Sequence, residues 1–367
     1  MFNPRFSITP QLTNTLMRLE SLRQTISTLH LTPSVLTSLR QSARLQTVHF
    51  STYIEGNRLT LEQIQDLLQG IGTTFPGRER DAAEILGYYA ALEHINQLAL
   101  QRQSLTESDI QRLHALVMGG GKTTITPTPY RDGQNAIYDG NTKALVYLPP
   151  EAHDVPTLMA NLVAWIATAE QEHFPCPLLA ALAHYQFATI HPYYDGNGRT
   201  ARLLTTLLLH RGGYDLNGLY SLEEYYAKNL QAYYHAISIG QSHNYYMGRA
   251  EADITPWLDY FCDGMVESLE AIQKHALMAY GQGSKDTSAL LRTLDARQRT
   301  VLSLFNTSKV ISTKDIQTFF AIKPRAARAL CLTWLKNEFL VIKDSAKKKR
   351  TYQLHPDLEA QLFGQGK

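Results

Sequence analysis

The sequence predicts a mainly α fold: a helical body with one small β-hairpin, followed by a C-terminal winged helix-turn-helix domain. Three observations carry this expectation. Apolar residues recur at three- and four-residue spacing through most of the body, with Leu12, Leu16, Leu19 and Leu22 as one such stripe. Strand-like alternation in the body is confined to one short central stretch. Residues 290–367 read helix, helix, helix, hairpin.

In chain order, residues 34–55 form a helix stopped by Gly56 and Asn57, and Thr60 with Gln63 makes a capping box for a short helix ending near Gly70. Helical patterns then cover residues 81–100, 106–117, 155–169, 178–190, 200–211, 222–239 and 255–279. Between the second and third of these, QNAIYDGNTKALVYLPP offers two extended runs around the turn-forming Asp139, Gly140 and Asn141, closed by Pro149 and Pro150. A solitary hairpin exposes edge groups, so it reads equally as a flap that accepts a further strand or as a packed connection. YGQGSKDTS opens the linker, residues 280–289. Helices at 294–305, 313–320 and 324–337 follow, and FLVIKDSAKKKRTYQL forms two strands around a basic turn. The expected division is a helical region at 1–100, a core at 101–279, the linker, and the winged domain at 290–367.

The 367 residues suffice for two or three modules. Cys176, Cys262 and Cys331 lie too far apart for a redox or close-spaced metal pair, and three is a poor number for a disulfide framework. No signal-peptide pattern and no apolar run of about 18 residues occurs, so neither secretion nor a membrane partner is expected, and the cytoplasm is the expected location. The overall charge of +2 conceals an asymmetry: residues 290–367 hold 15 Lys and Arg against 6 Asp and Glu, a net of +9, and the body carries −7. Arg325, Arg328 and Lys336 on the third helix of the tail, with Lys347, Lys348, Lys349 and Arg350 in the wing, could face the phosphates of DNA. Ala326, Ala327, Ala329 and Leu330 leave that helix poor in base-reading side chains, so DNA contact and a protein-contact or solvated role weigh equally.

The densest chemistry lies in HPYYDGNGRTAR, residues 191–202. An apolar helix ends against Pro192, which places His191 at a forced boundary. Gly196 and Gly198 permit a tight backbone whose N–H groups converge at the positive end of the next helix, a cradle for an anion. Arg199 and Arg202 sit on the first turn of that helix, where the macrodipole and their mutual repulsion disfavour cations, and a polyphosphate would relieve both. Asp195 can hold Mg²⁺ against the same phosphates. His191 can take a proton from an incoming hydroxyl. Cradle, metal and base together point to transfer from a nucleotide onto a hydroxyl.

The stretch resembles the Fic family of nucleotide transferases, whose motif reads His-Pro-Phe, any residue, Asp or Glu, Gly-Asn-Gly-Arg, two residues, Arg. It stands here as His191, Pro192, Tyr193, Tyr194, Asp195, Gly196, Asn197, Gly198, Arg199, Thr200, Ala201 and Arg202, with Tyr193 in place of Phe and its hydroxyl in need of a partner. PYRDGQNAIY upstream, LVYLPP in the hairpin, and Asn229 with Tyr233 and Tyr234 downstream resemble the family's flanking pattern, so the likeness covers about residues 50–240. It implies that His191 is the base and that Asp195 holds Mg²⁺. Gly196, Asn197, Gly198, Arg199 and Thr200 would cradle the α- and β-phosphates of ATP, Arg202 would meet the γ-phosphate, and Asn229 would lie by the nucleoside. The hairpin would be the flap that docks a target protein's Ser, Thr or Tyr, which receives AMP. A homodimer is the expected assembly.

Ser51 and Glu55 stand one helical turn apart before Gly56, which puts a carboxylate at the negative end of its helix. The pattern resembles the family's inhibitory motif, in the class that carries it N-terminally. Glu55 is then expected to pair with Arg202 and exclude the γ-phosphate. Some members use this glutamate to orient water and remove AMP, so the reaction direction stays open. GGGKTT at 119–124 is not a P-loop, because Leu116 stands where that motif requires Gly. No His, Cys or acidic spacing suggests zinc.

Overall fold

The computed structural model describes residues 2–29, 31, 33–70, 75–101, 103–122, 124–138, 142–219, 221–240, 243–281, 290, 293–320, 322–344 and 350–363. Their elements are α1 (Pro10–Thr28), α2 (Pro33–Ile54), α3 (Leu61–Gln69), α4 (Glu79–Gln101), α5 (Glu107–Met118), β1 (Ile137–Tyr138), β2 (Leu145–Tyr147), α6 (Val155–Gln171), α7 (Cys176–Ile190), α8 (Asn197–Arg211), α9 (Glu223–Lys228), α10 (Leu230–Ile237) and α11 (Thr255–Gly281). After these come α12 (Ala296–Thr307), β3 (Ile311–Ser312), α13 (Thr313–Phe320), α14 (Pro324–Lys336), β4 (Leu340–Asp344), β5 (Thr351–Leu354) and α15 (Pro356–Phe363). The hairpin turn Asp139–Asn141, residues 282–289 of the expected linker and the wing lysines Lys347, Lys348 and Lys349 lie outside the described residues.

The chain divides into two units, Met1–Ser27 with Ser42–Ile272, and Thr28–Gln41 with Gln273–Lys367. One hydrophobic core serves the first, from Leu12 to Leu269. At its centre is α7, which is apolar all round and buried along almost its whole length. It packs on α6 and α8, and α4 lies against α5 and α8. Each Leu that α7 removes from water contributes roughly 1.5–3 kcal/mol. The Trp257 indole N–H, from α11, donates to the Ala181 carbonyl at 2.8 Å. Caps set the helix boundaries: Thr60 with Gln63 closes a capping box on α3, and Thr106 with Asp109 closes one on α5.

Two sequence expectations need correction. The single helix expected at 222–239 breaks at Asn229 (φ −140°, ψ 76°), whose side chain accepts from the Ala232 N–H and starts α10 afresh. An amide that bonds its own backbone competes with helix continuation. The β1–β2 hairpin is antiparallel, as expected, but it is not solitary. The Leu148 N–H donates to the His243 carbonyl at 2.7 Å, the Tyr245 N–H donates back to Leu148 O at 3.0 Å, and His243 Nδ1 meets Val146 O at 2.8 Å. Periodicity could not reveal this backing, because it comes from irregular chain far along the sequence. β2 is further anchored by the buried Tyr147 hydroxyl, which donates to Thr189 O at 2.7 Å on the last turn of α7.

In the second unit, Leu302, Ile316, Ala327, Cys331, Trp334, Phe339 and Tyr352 share a separate core. β3, which the sequence reading did not include, joins β5 and β4 in an antiparallel sheet of order β3-β5-β4. α15 also lies beyond the sequence reading. No helix among the described residues is long and apolar enough to cross a membrane.

Candidate active site

Two local backbone reversals build the site between α7 and α8. His191 ends α7 in the left-handed region (φ 51°, ψ 60°), its N–H still bonded to Phe187 O, and Pro192 prevents the helix from going on. Gly196 then opens α8, also left-handed at φ 77°. A side chain at Gly196 would strike Met118 Sδ and His114 Nε2, so both the φ and the crowding demand glycine. Asn197 fastens the loop between them: the Tyr193 N–H donates to its Oδ1 at 2.9 Å and its Nδ2 donates to Tyr193 O at 2.7 Å. Thr200 Oγ1 donates to Gly196 O at 2.9 Å. The side chains of Asn197 and Thr200 are therefore consumed by the loop, and the Thr200 N–H is spent as well, on Gly196 O at 3.0 Å. No side chain caps α8. The first N–H groups of a helix have no carbonyl one turn back, so this end is open to an anion.

The two arginines expected at that end are both buried, with side chains 2% and 1% exposed for Arg199 and Arg202. Arg202 donates from Nε to Ser51 Oγ at 2.7 Å, and from Nη2 to Ser51 O and Glu55 Oε1, both at 2.8 Å. Glu55 reaches it from the turn that ends α2, where Gly56 stands at φ 102°. The carboxylate also lies over the start of α8, since a Cβ on Gly198 would collide with Glu55 Oε1. Arg199 is held less firmly. Its Nη2 meets Asp195 Oδ1 at 3.3 Å, its Nη1 stands 3.7 Å from Glu84 Oε1, and its buried Nε has no partner among the described residues. A buried guanidinium with an unspent donor is suited to a further anion.

Burial alone would lower the Arg202 pKa, but the Glu55 carboxylate, with the Tyr233 and Tyr88 hydroxyls, raises it on balance. Burial pushes the His191 imidazole down to about 4, offset in part by a hydrogen bond to the Ala188 backbone, so the ring is neutral at pH 7. Neutral imidazole is the form that accepts a proton. Asp195 is half exposed: Oδ1 takes the Gly196 N–H at 2.6 Å, and Arg80 Nη2 stands 3.7 Å from Oδ2. The Tyr193 hydroxyl, buried, has no partner among the described residues, and its ring stacks on His114 at 3.6 Å between centroids. Asn229 is exposed and spends its side-chain oxygen on α10.

Sequence reasoning assigned no role to Arg131 or His114. Arg131, 3% exposed, donates from Nε to the His191 carbonyl at 3.0 Å, from Nη1 to Gly133 O at 2.9 Å, and from Nη2 to Pro150 O. It thus ties the two ends of the hairpin segment to the histidine. His114 Nε2 donates to Asp195 O at 2.9 Å and supports the loop from α5. The first has a faint sequence signal, a lone Arg in a turn-rich stretch, and the second has none.

The open end of α8, its two buried arginines and a neutral histidine at the end of α7 lie within one stretch of the chain. Residues 104–209 match the Fic/DOC family model. They resemble a Fic domain. Ser51 and Glu55 precede it in the sequence. Over 259 residues, 70% of this chain, the sequence is 30% identical to the protein adenylyltransferase Fic of Drosophila persimilis, and over 260 residues it is 31% identical to the protein of that name from Drosophila erecta. The chain spans 46% and 47% of the length of these relatives, about half. A Fic domain containing signaling protein from Bacteroides thetaiotaomicron is 28% identical, with 71% of this chain and 96% of that one covered at a TM-score of 0.60. A Fic family protein from Desulfovibrio desulfuricans covers 100% of both chains with a TM-score of 0.62 at 23% identity, which shows a shared fold.

Proposed function

We propose that this chain is a protein adenylyltransferase that moves AMP from ATP to a Ser, Thr or Tyr hydroxyl of a target protein, and that Glu55 restrains it. One observation carries the reading: a carboxylate, Glu55, sits 2.8 Å from Arg202 and over Gly198, in the place an anionic phosphate tail would take at the uncapped start of α8. Its relatives' names support the chemistry.

The residues present suit both ATP and Mg²⁺. Arg199 has a buried donor to spend, and Asp195 offers a half-exposed hard oxygen beside the cradle. When bound through Asp195, the cation would supply charge neutralisation to the phosphates. The backbone of Gly196 to Gly198 would hold the α- and β-phosphates with Arg199, and Arg202, freed from Glu55, would take the γ-phosphate. Asn229 would approach the nucleoside. Extended chain of the target would lie along the hairpin, on the β1 side, since β2 is already backed. The target hydroxyl oxygen forms a bond to the α-phosphorus, the bond from that phosphorus to the bridging oxygen breaks, and pyrophosphate leaves. The hydroxyl proton goes to neutral His191, whose position Arg131 holds through its carbonyl.

Mass spectrometry of Glu55→Gly after incubation with ATP and Mg²⁺ should show one adenylyl group gained on a hydroxyl side chain. Adding His191→Ala should abolish the gain while ATP affinity stays within about twofold. Gain that persists without His191 would remove it as the base.

A second reading concerns the C-terminal unit, which we infer to be a winged helix that contacts duplex DNA through its phosphates. Among the described residues no ion pair engages Lys323, Arg325, Arg328 or Lys336, while the Asp295 carboxylate caps α12 and the Asp315 carboxylate accepts from the Ser312 N–H and hydroxyl at the start of α13. The cations on α14 thus lack local counter-charges. Binding of the full chain to DNA should weaken steeply with salt, and Arg325→Ala should reduce the log–log slope by about one. Absence of any salt-dependent binding would overturn this reading.

A further inference from the structure

The turn that carries Glu55 is itself fastened, by a side chain that no step above uses. Beyond Ile54 the chain folds back on α2: the Glu55 and Asn57 N–H groups both donate to Thr52 O at 3.1 Å, and the Gly56 N–H donates to Tyr53 O at 2.9 Å. These bonds tie the turn to its own helix and to nothing beyond it.

Asn57 supplies the tie to the rest of the core. It is 3% exposed. Its Nδ2 donates to the Asp81 carbonyl at 2.9 Å and to Glu84 Oε2 at 3.2 Å, both on α4, while its Oδ1 accepts from the Leu59 N–H at 3.1 Å. Both amide hydrogens and the amide oxygen are therefore used, which fixes the side chain in one orientation. Glu84 Oε1 takes Arg80 Nε at 3.1 Å and stands 3.7 Å from Arg199 Nη1. Because α4 also packs on α8, Asn57 clasps the turn to the wall that holds Arg199.

Glu55 lies two residues before this clasp. Its side chain is 27% exposed, so its 2.8 Å bond to Arg202 competes with water and with any anion that enters. Such a bond persists in proportion to how well its carboxylate is held in place beforehand, which is an effective concentration set by the segment that carries it.

We infer that Asn57 is the positioning residue of the restraint: by clasping the turn to α4 it keeps the Glu55 carboxylate on Arg202. The inference rests on the reading of Glu55 as the occupant of the phosphate site.

The test is ATP binding by the full chain, read as a dissociation constant with Mg²⁺ present, together with labelled AMP incorporation and a thermal melt. Asn57→Ser keeps a side-chain oxygen for the Leu59 N–H and loses both donors to α4; Asn57→Ala loses all three bonds. Each should tighten ATP by about threefold to tenfold and raise incorporation, since a held carboxylate no longer competes as well. The two should release the site alike, although Asn57→Ala should melt at the lower temperature. In the Glu55→Gly background, where no carboxylate remains to be positioned, both should change ATP affinity by less than about twofold. Unchanged or weakened ATP binding in the Glu55 chain, the same shift in both backgrounds, or a release that follows lost stability rather than the lost α4 bonds would overturn the inference. A Glu55→Gly parent that binds ATP no more tightly than the unaltered chain would instead overturn the reading of Glu55 itself, and the role of Asn57 with it.

Discussion

Removing Glu55 should move stability and affinity in opposite directions. The bond from Arg202 Nη2 to Glu55 Oε1 is 2.8 Å long, and its partners are 1% and 27% exposed, so solvent screens it only in part. A hydrogen bond between charged groups in such a setting contributes about 1.5–3 kcal/mol. Glu55→Gly should therefore destabilise the free protein by about that amount, which for a unit of this size lowers Tm by roughly 3–12 °C. ATP no longer has to displace the carboxylate, so its affinity should rise by about tenfold to a hundredfold, at about 1.4 kcal/mol per decade. Saturating ATP should then recover the lost stability, since about a hundredfold excess over Kd adds about 2.7 kcal/mol. Thermal melts with and without nucleotide, a binding titration and labelled AMP incorporation check each part. General damage would depress stability and affinity together. That outcome, or unchanged affinity and incorporation, would refute the view that Glu55 occupies the phosphate site.

Two further outcomes follow from the same geometry. Arg131→Ala removes a buried guanidinium that three carbonyls share, and should cost about 2–4 kcal/mol in a denaturant titration while lowering AMP incorporation, because the His191 carbonyl loses its tether. Burial holds the folded-state pKa of His184 at about 3 and that of His191 at about 4, both below the unfolded value of about 6.5. The unfolded chain therefore binds more protons between about pH 4 and 6.5, so stability is full above that window and falls as pH drops through it. His184 alone steepens the fall by about 1.4 kcal/mol per pH unit, and His184→Gln should flatten it in urea titrations across that range.

Sequence by itself determined the helices and the loop chemistry here, because both follow from local rules. Periodicity located the helices to within a few residues, Thr60 and Gln63 announced their capping box, and Pro192 with Gly196 dictated the reversals that bring a histidine and an uncapped helix start together. Misplaced charge was legible too, since two arginines at a positive helix end ask for an anion whatever the fold around them. Only the tertiary structure decided which groups answer. Ser51 and Glu55 meet Arg202 across 151 and 147 residues, Arg131 grips the His191 carbonyl across 60, and Tyr88 reaches Glu223 across 135. Nor could the sequence show that residues 243–245 back the hairpin, or that the side chains of Asn197 and Thr200 turn inward to their own loop. The reason is physical: caps, turns and helix periods are energies of neighbours along the chain, whereas the pairing of buried charges depends on which helix ends the packed core brings within hydrogen-bond reach.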